Sequence, residues 1–541
     1  MTGGPSRAPS RVLARPPAGL WAGVGPVPGA PLPAYALREV GAVAVALVAV
    51  LLALAGRYGY HRDELYFRQL SDSPAWGYVD QPPLTPLLAR GAIALLGDSV
   101  WSLRVPAAVL LGALALLLAL LARELGGRRK AQVIAALGAA GAGPLISGHL
   151  LLTASLDWPL WVLTAWLVCR AVLRGEPRVW LLAGAVAGLG LYNKHLVLLL
   201  LLALAAGLLV SGPRRLLATR WPWLAALVAV VVGSPNLVYQ MVNGLPQLQM
   251  AGSLTGAAAR WVFVPGQLLS VGPPGAVVWG AGLVALWRSP RLRPVRAFGT
   301  AYVVAAVLLL LVAGQFYYTT GFLLVLYAVG SVAAERWLEQ VGGAARRLRT
   351  VRLRRLLVIN VVTSALVALP LLPASVLALS PVPLLNPAVG DQVGWPRYVA
   401  QVAEVVDALP PGQRARAVLV AENYGEAGAL DRYGPDLGLP PVVSGHNALH
   451  ELSRPAEGVT TAVVLVQGHG QGHVSEELLR RSFESCTLEA RLDNGVGVAN
   501  EEQGTAVVVC TDPVASWAEL WPDFAYVGLS TFCQPCRRLG L

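Results

Sequence analysis

Asp63 and Glu64 stand side by side in "YHRDELYF" (residues 60–67), just after an apolar run that ends near Ala55. A carboxylate held against apolar surface is partly desolvated, which makes it a better base near neutral pH. Such a group can take a proton from a hydroxyl. The bland reading is a solvated loop that carries charge, with Pro82-Pro83 stopping a helix. The distribution of acids decides how much weight the pair carries. Between residues 37 and 380 there are eleven carboxylates. Five (Glu39, Glu124, Glu176, Glu335, Glu339) lie beside arginine clusters. The other six are Asp63, Glu64, Asp72, Asp80, Asp98 and Asp157, and five of them fall between Gly56 and Val100. Acid–base chemistry is therefore expected in that stretch and at Asp157.

The elements around these residues are hydrophobic. Of 541 residues, 55% are apolar and 13% charged, where a soluble domain carries about a quarter charged. Apolar runs near 20 residues recur from Glu39 to Ser380, long enough to cross a hydrocarbon core of roughly 30 Å. Spans are expected near 40–56, 102–122, 131–148, 156–173, 179–193, 195–210, 222–240, 264–287, 297–313, 322–334 and 356–379. The stretch 179–210 is continuous except for "YNKH".

The net charge of +12 would suggest nucleic acid, but its placement argues against that partner. Basic clusters at 123–130, 170–178, 214–220, 288–296 and 346–355 occupy alternate short connections. That is the positive-inside pattern, with these loops in the cytoplasm. A chain of about eleven crossings then has its N-terminus inside and everything after Ser380 outside. Residues 1–36, rich in Pro and Gly, read as a disordered cytoplasmic tail, and 37–380 as the membrane domain.

From 381 to 541 the pattern changes to a small extracytoplasmic α/β domain. Residues 395–408 form an amphipathic helix. After it, "RAVLVA", "TTAVVLVQ" and "TAVVVC" read as strands, and "EAGALDRY" and "SEELLRRSF" as helices. Cys486 and Cys510 bracket two strands, and in an oxidising compartment they pair. Cys533 and Cys536 form a CxxC without the His pair that zinc would need. "VQGHGQGHVSEELL" imitates a dinucleotide loop but lacks its spacing and reads as a turn.

Cations that could hold an anion are scarce on the outer side. Lys194 is its only lysine, set in a long apolar stretch, and an ionisable residue in such a place is functional by default. The alternative is a snorkelling side chain. Tyr317 and Tyr318 can stack on a sugar or a prenyl chain, or belong to an aromatic belt. Asp157, two residues before Pro159, also fits an ordinary helix start.

Taken in order, "DE", "GYVDQPPL", "SLRVPAAVLLG", "TASLDWPL", "GLYNKHLVLLL" and "QFYYTTGFLLVLYAVG" resemble the protein O-mannosyltransferase group of membrane glycosyltransferases. This group includes the lipid A aminoarabinose transferase, and the likeness covers roughly residues 35 to 340. "AENYGEAGALDRYG" also looks like the outer domain of actinobacterial members. The resemblance implies a GT-C fold, a polytopic helical bundle whose active site lies at the outer face of the cytoplasmic membrane. It implies transfer of a sugar from a polyprenyl-phosphate-linked donor to a lipid, glycan or protein acceptor. The family's catalytic acids map onto Asp63 and Glu64, its "D-x-PPL" acid onto Asp80, and its phosphate-binding arginine onto Arg104. Asp157 becomes a residue facing the donor sugar or an ion. Gln81 stands where His is usual and Gln315 where Lys is common, which weakens a phosphate role near residue 315. No cofactor is implied with certainty, and a divalent metal stays open.

Such a transfer needs a base for the acceptor and cations for the phosphate. The phosphate leaves without a general acid, so one carboxylate and a helper suffice. Asp63 is the expected base, and Glu64 orients the acceptor or holds Asp63; the residues alone allow the roles to be exchanged. Arg104 offers a forked donor set and Lys194 a compact charge. A transporter or flippase of a lipid-linked sugar is the alternative, but transporters favour midplane charges and internal repeats, and neither is visible. A non-catalytic scaffold would leave the acids without purpose.

The topology is testable. Cysteines placed at Gly244 and Ser453 should react with an impermeant thiol reagent in whole cells, and one at Gly342 should not. Labelling at position 342 alone would invert the arrangement.

Overall fold

The computed structural model describes residues 19, 21–253, 260–467 and 473–528. The CxxC and the "GHGQG" turn lie outside the described residues. Among the described residues, sixteen helices build the membrane part: α1 (Leu37–Leu54), α2 (Arg62–Asp72), α3 (Leu84–Leu96), α4 (Val100–Glu124), α5 (Arg129–Ala136), α6 (Ala142–His149), α7 (Thr153–Arg174), α8 (Val179–Leu191), α9 (Val197–Val210), α10 (Arg220–Val242), α11 (Pro246–Ser253), α12 (Arg260–Ser270), α13 (Pro273–Arg288), α14 (Ala297–Leu311), α15 (Thr320–Glu339) and α16 (Gly343–Ala368).

Each expected span overlaps one of these helices or a bent pair, the last (356–379) only in part, because α16 ends at Ala368. By length and apolarity, however, five described helices can cross a membrane, or seven if α5–α6 and α12–α13 each count as one bent span. α8, α9 and α14 are shorter apolar helices, and α16 begins in a run of arginines. α7 starts at Thr153, so Asp157 lies in its second turn rather than at its N-cap.

Two expectations are corrected. The stretch after α1 is not a loop. It forms α2 and α3, because "RDELYFRQL" and "LTPLLARGAIALL" each place apolar residues at helical spacing, with Pro82-Pro83 ending the connection between them. The segment 21–36, expected to be disordered, is tied to the bundle. Val24 is fully buried, the Ser289 hydroxyl donates to its carbonyl, and Arg123 donates to the carbonyl of Pro33.

α4 is the central post, with α1, α5, α6 and α7 packed around it. At one end Arg174 and Arg170 pair with Glu124. Arg104 lies 20 residues away, about 30 Å along the helix. Elsewhere glycine permits close crossing. A Cβ on Gly330 of α15 would lie 1.8 Å from the Val278 carbonyl oxygen of α13, and one on Gly282 would lie 1.9 Å from that of Leu326.

The C-terminal part is a five-stranded sheet in the order β2-β1-β3-β5-β4, formed by β1 (Ala417–Ala421), β2 (Val442–Ser444), β3 (Thr461–Val466), β4 (Phe483–Arg491) and β5 (Ala506–Pro513). β1 is parallel to β2 and β3, and β5 is antiparallel to β3 and β4. The apolar runs are buried on both faces, by helices Trp395–Asp407 and Tyr424–Tyr433 on one side and Glu476–Ser482 on the other. Cys486 and Cys510 face each other across β4 and β5 and form the expected disulfide.

Gly330→Ala should force α13 and α15 apart at a backbone contact. Overpacking of this kind costs about 1–3 kcal/mol, so melting in detergent should occur at lower temperature. Wild-type melting would show that the crossing can relax.

Candidate active site

The acid pair opens α2. His61 is its N-cap: the Nδ1 atom accepts from the Asp63 amide at 3.1 Å, and Glu64 accepts from the His61 amide at 2.8 Å. This reciprocal closure satisfies two amides that a helix start leaves open. Burial lowers the His61 pKa, in keeping with a neutral ring that can accept. Neighbouring residues on a helix point about 100° apart. Asp63 and Glu64 therefore face different surroundings.

Glu64 turns inward and is fully buried. Its two oxygens meet the Arg104 fork, Nε to Oε1 at 3.0 Å and Nη2 to Oε2 at 2.9 Å, and Oε1 also accepts from the Leu151 amide. The remaining Arg104 donors go to the carbonyls of Ala55 and Gly59, to the His149 ring and to Gln392 of the segment that leads into the sheet domain. A buried ion pair is tolerable only when its leftover donors and acceptors are satisfied in this way. Arg104 was expected at the donor phosphate. The structure instead commits its guanidinium to Glu64, to backbone and to the side chains of His149 and Gln392, and neither Arg104 nor Glu64 lines the cavity.

That cavity, of about 1440 Å³, lies between the bundle and the C-terminal sheet domain. Asp63, Asp80, Lys194, Tyr317 and Tyr318 line it, as do Tyr424 and Asn447 from the sheet domain. Asp63 Oδ1 accepts a hydrogen bond from the Tyr424 hydroxyl at 3.0 Å, and Asp80 Oδ1 accepts one from the Tyr66 hydroxyl at 2.9 Å. Burial pushes Asp80 up to about 7, opposed by the Tyr66 bond.

Lys194 reaches the cavity because α8 breaks at "YNKH". The Tyr192 carbonyl accepts from the Leu84 amide, and Asn193 bonds both Thr85 and the Thr153 carbonyl. The break thus ties together α3, α7 and α9. Lys194 Nζ lies 3.5 Å from Thr153 Oγ1 and above the rings of Tyr318 (4.8 Å) and Tyr317 (5.9 Å). Asp157 does not line the cavity. It is buried in the wall behind Thr153 and Trp158, where it senses the Lys194 charge. His195 bonds Asn236, as a helix-end polar residue would.

Sequence reasoning missed Tyr66 and Tyr424. Both stood in quoted segments, "DELYF" and "AENYGEAGAL", but no local signal told that their hydroxyls meet carboxylates. Among the described residues, no three metal-ligating side chains come together.

The family model described as dolichyl-phosphate-mannose-protein mannosyltransferase matches residues 80–239, a segment with Asp80, Arg104, Asp157 and Lys194 but without Asp63. No curated protein matches by sequence. The crystal structure of ArnT from Cupriavidus metallidurans in the apo state is similar with a TM-score of 0.57 at 15% identity, covering 87% of this chain and 97% of that one. The same protein bound to undecaprenyl phosphate gives 0.53 at 16% identity over the same shares. The fold is that of a GT-C glycosyltransferase. Arabinofuranosyltransferase AftD from Mycobacteria is also similar, with a TM-score of 0.50 at 13% identity, over 90% of this chain and 40% of that one. The GT-C fold and the family match together favour a transferase over a flippase.

Removing Arg104 tests its assignment. Arg104→Ala would leave the Glu64 carboxylate buried without its partner, at a cost of about 3–5 kcal/mol. Melting in detergent should fall sharply, while the folded fraction keeps its donor KM. A stable variant with a selectively raised donor KM would return Arg104 to the phosphate.

Proposed function

We propose that this chain transfers a sugar from a polyprenyl-phosphate carrier to a lipid, glycan or protein acceptor on the outer face of the cytoplasmic membrane. The carrying observation is that Asp63 and Lys194, a base and a cation from distant parts of the chain, face one cavity. ArnT binding undecaprenyl phosphate on the same fold supports a carrier of this kind. The outer placement rests on the alternate basic connections, which lie at the α4 end opposite Arg104 and Glu64.

In this reading Asp63 takes the proton from the acceptor hydroxyl as its oxygen attacks the anomeric carbon. The bond from that carbon to the phosphate oxygen breaks, and the electron pair leaves on the phosphate. Lys194 meets the growing negative charge, held in place by Thr153 and the two tyrosine faces. Asp80, with its pKa near 7, donates to or accepts from a sugar hydroxyl. Asp157 sets the potential around Lys194 from behind. Glu64 acts through position, by holding the α2 start on Arg104.

Deleting the gene and comparing prenyl-phosphate sugars by mass spectrometry should show one carrier-linked sugar accumulating. Asp63→Asn should abolish its use in a purified assay with folding intact. Lys194→Ala should weaken donor use about 10- to 150-fold, since a charged hydrogen bond contributes roughly 1.5–3 kcal/mol. Full turnover by the first variant would remove the base, and unchanged donor use by the second would leave Lys194 a snorkelling cation.

A further inference from the structure

Tyr424 belongs to the outer domain, yet its hydroxyl is 3.0 Å from Asp63 and its ring is on the cavity wall. Its placement is over-determined. Asn423 caps the helix Tyr424–Tyr433 in a reciprocal bond with Glu426, and the Tyr424 amide donates to His446 Nδ1 at 3.2 Å. The ring stacks on Tyr66 at 4.6 Å and on His446 at 4.8 Å, with the Arg62 guanidinium 4.7 Å from its centre. Tyr66 in turn holds Asp80 and accepts from the Ala448 amide of the outer domain. Two stacked tyrosines thus hold the two cavity carboxylates, one from each part of the chain. Glycine allows the approach: a Cβ on Gly428 would fall 2.7 Å from that of Leu65, and one on Gly425 2.9 Å from that of Arg62.

We infer that Tyr424 is a positioning residue for Asp63, so that the outer domain completes the active site rather than merely covering it. The inference rests on Asp63 being the base. An ionised carboxylate with a free syn or anti oxygen can rotate about its last torsion. A hydroxyl fixed by a ring stack holds one oxygen and leaves the other aimed into the cavity for the acceptor. During transfer the tyrosine keeps its proton; the acceptor proton goes to Asp63 alone.

Tyr424→Phe keeps the ring stack and removes the oxygen. The other groups that interact electrostatically with Asp63 stay in place: His61 on α2's cap, Asp80 and Tyr317 at the cavity, and Asp391 of the outer domain's entry segment. Arg62, which follows His61, is also retained. The assay uses the full chain in detergent with the polyprenyl-phosphate sugar fraction extracted from the deletion strain. The expected result is a fall in kcat of about ten-fold, with a donor KM within about two-fold of wild type. Melting should be unchanged. Wild-type kcat would overturn the inference, as would lowered melting with kcat intact. Asp63→Asn separates the two levels. If it is inactive while Tyr424→Phe behaves as wild type, the inference alone fails; if it is fully active, the assignment of the base fails as well.

Discussion

The fork of Arg104 on Glu64 is the constraint on which this end of the bundle depends. It joins the start of α4, the start of α2, the α1 end through Ala55, the turn before α7 through Leu151 and the segment leading into the sheet domain through Gln392. In a low-dielectric setting neither charge tolerates the loss of the other. A single buried pair therefore fixes where α2 begins. Because α2 begins there, Asp63 is turned about 100° away from the pair and toward the cavity. The adjacent acids divide their work by helical geometry: one is sealed to hold position, the other is kept available.

α2 is also where the sheet domain docks. Leu65 receives Gly428, Tyr66 stacks on Tyr424, and Arg62 pairs with Glu501. Trp395 donates to the Tyr60 carbonyl, and Gly59 donates to that of Gln392. These contacts combine small residues, aromatic faces and buried polar bonds, so the interface is specific in register as well as apolar. A GT-C bundle built this way has its cavity closed partly by a separate sheet domain.

The opposite wall depends on a break. An uninterrupted helix through 179–210 would point Lys194 wherever its register demanded. The turn at Tyr192–Leu196 frees the Tyr192 carbonyl to accept from the Leu84 amide, the Asn193 side chain donates to the Thr153 carbonyl, and Lys194 is placed against two tyrosine faces. The cation is thus held by geometry that costs one helical continuity and contributes a fixed charge at the cavity.

Composition and periodicity alone determined that the chain is a helical membrane protein with a small α/β domain, where three of its five described strands lie and that Cys486 meets Cys510. Those are local or pairwise properties: hydropathy over 20 residues, alternation over five, and two thiols on neighbouring strands. The acids and Lys194 were also legible, because a charge in apolar surroundings stands out in any one-dimensional reading. Their partners were not. Arg104 reads as a free cation until α4 is seen to bring it under Glu64, 40 residues away. The helices α2 and α3 were hidden by their charges and prolines, and the segment 21–36 by a composition that elsewhere means disorder. Tyr424 is 361 residues from Asp63, and no sequence pattern specifies which hydroxyl meets which carboxylate. Only the packing of two domains decides that, since hydrogen bonds depend on distance and direction in space and not on separation along the chain.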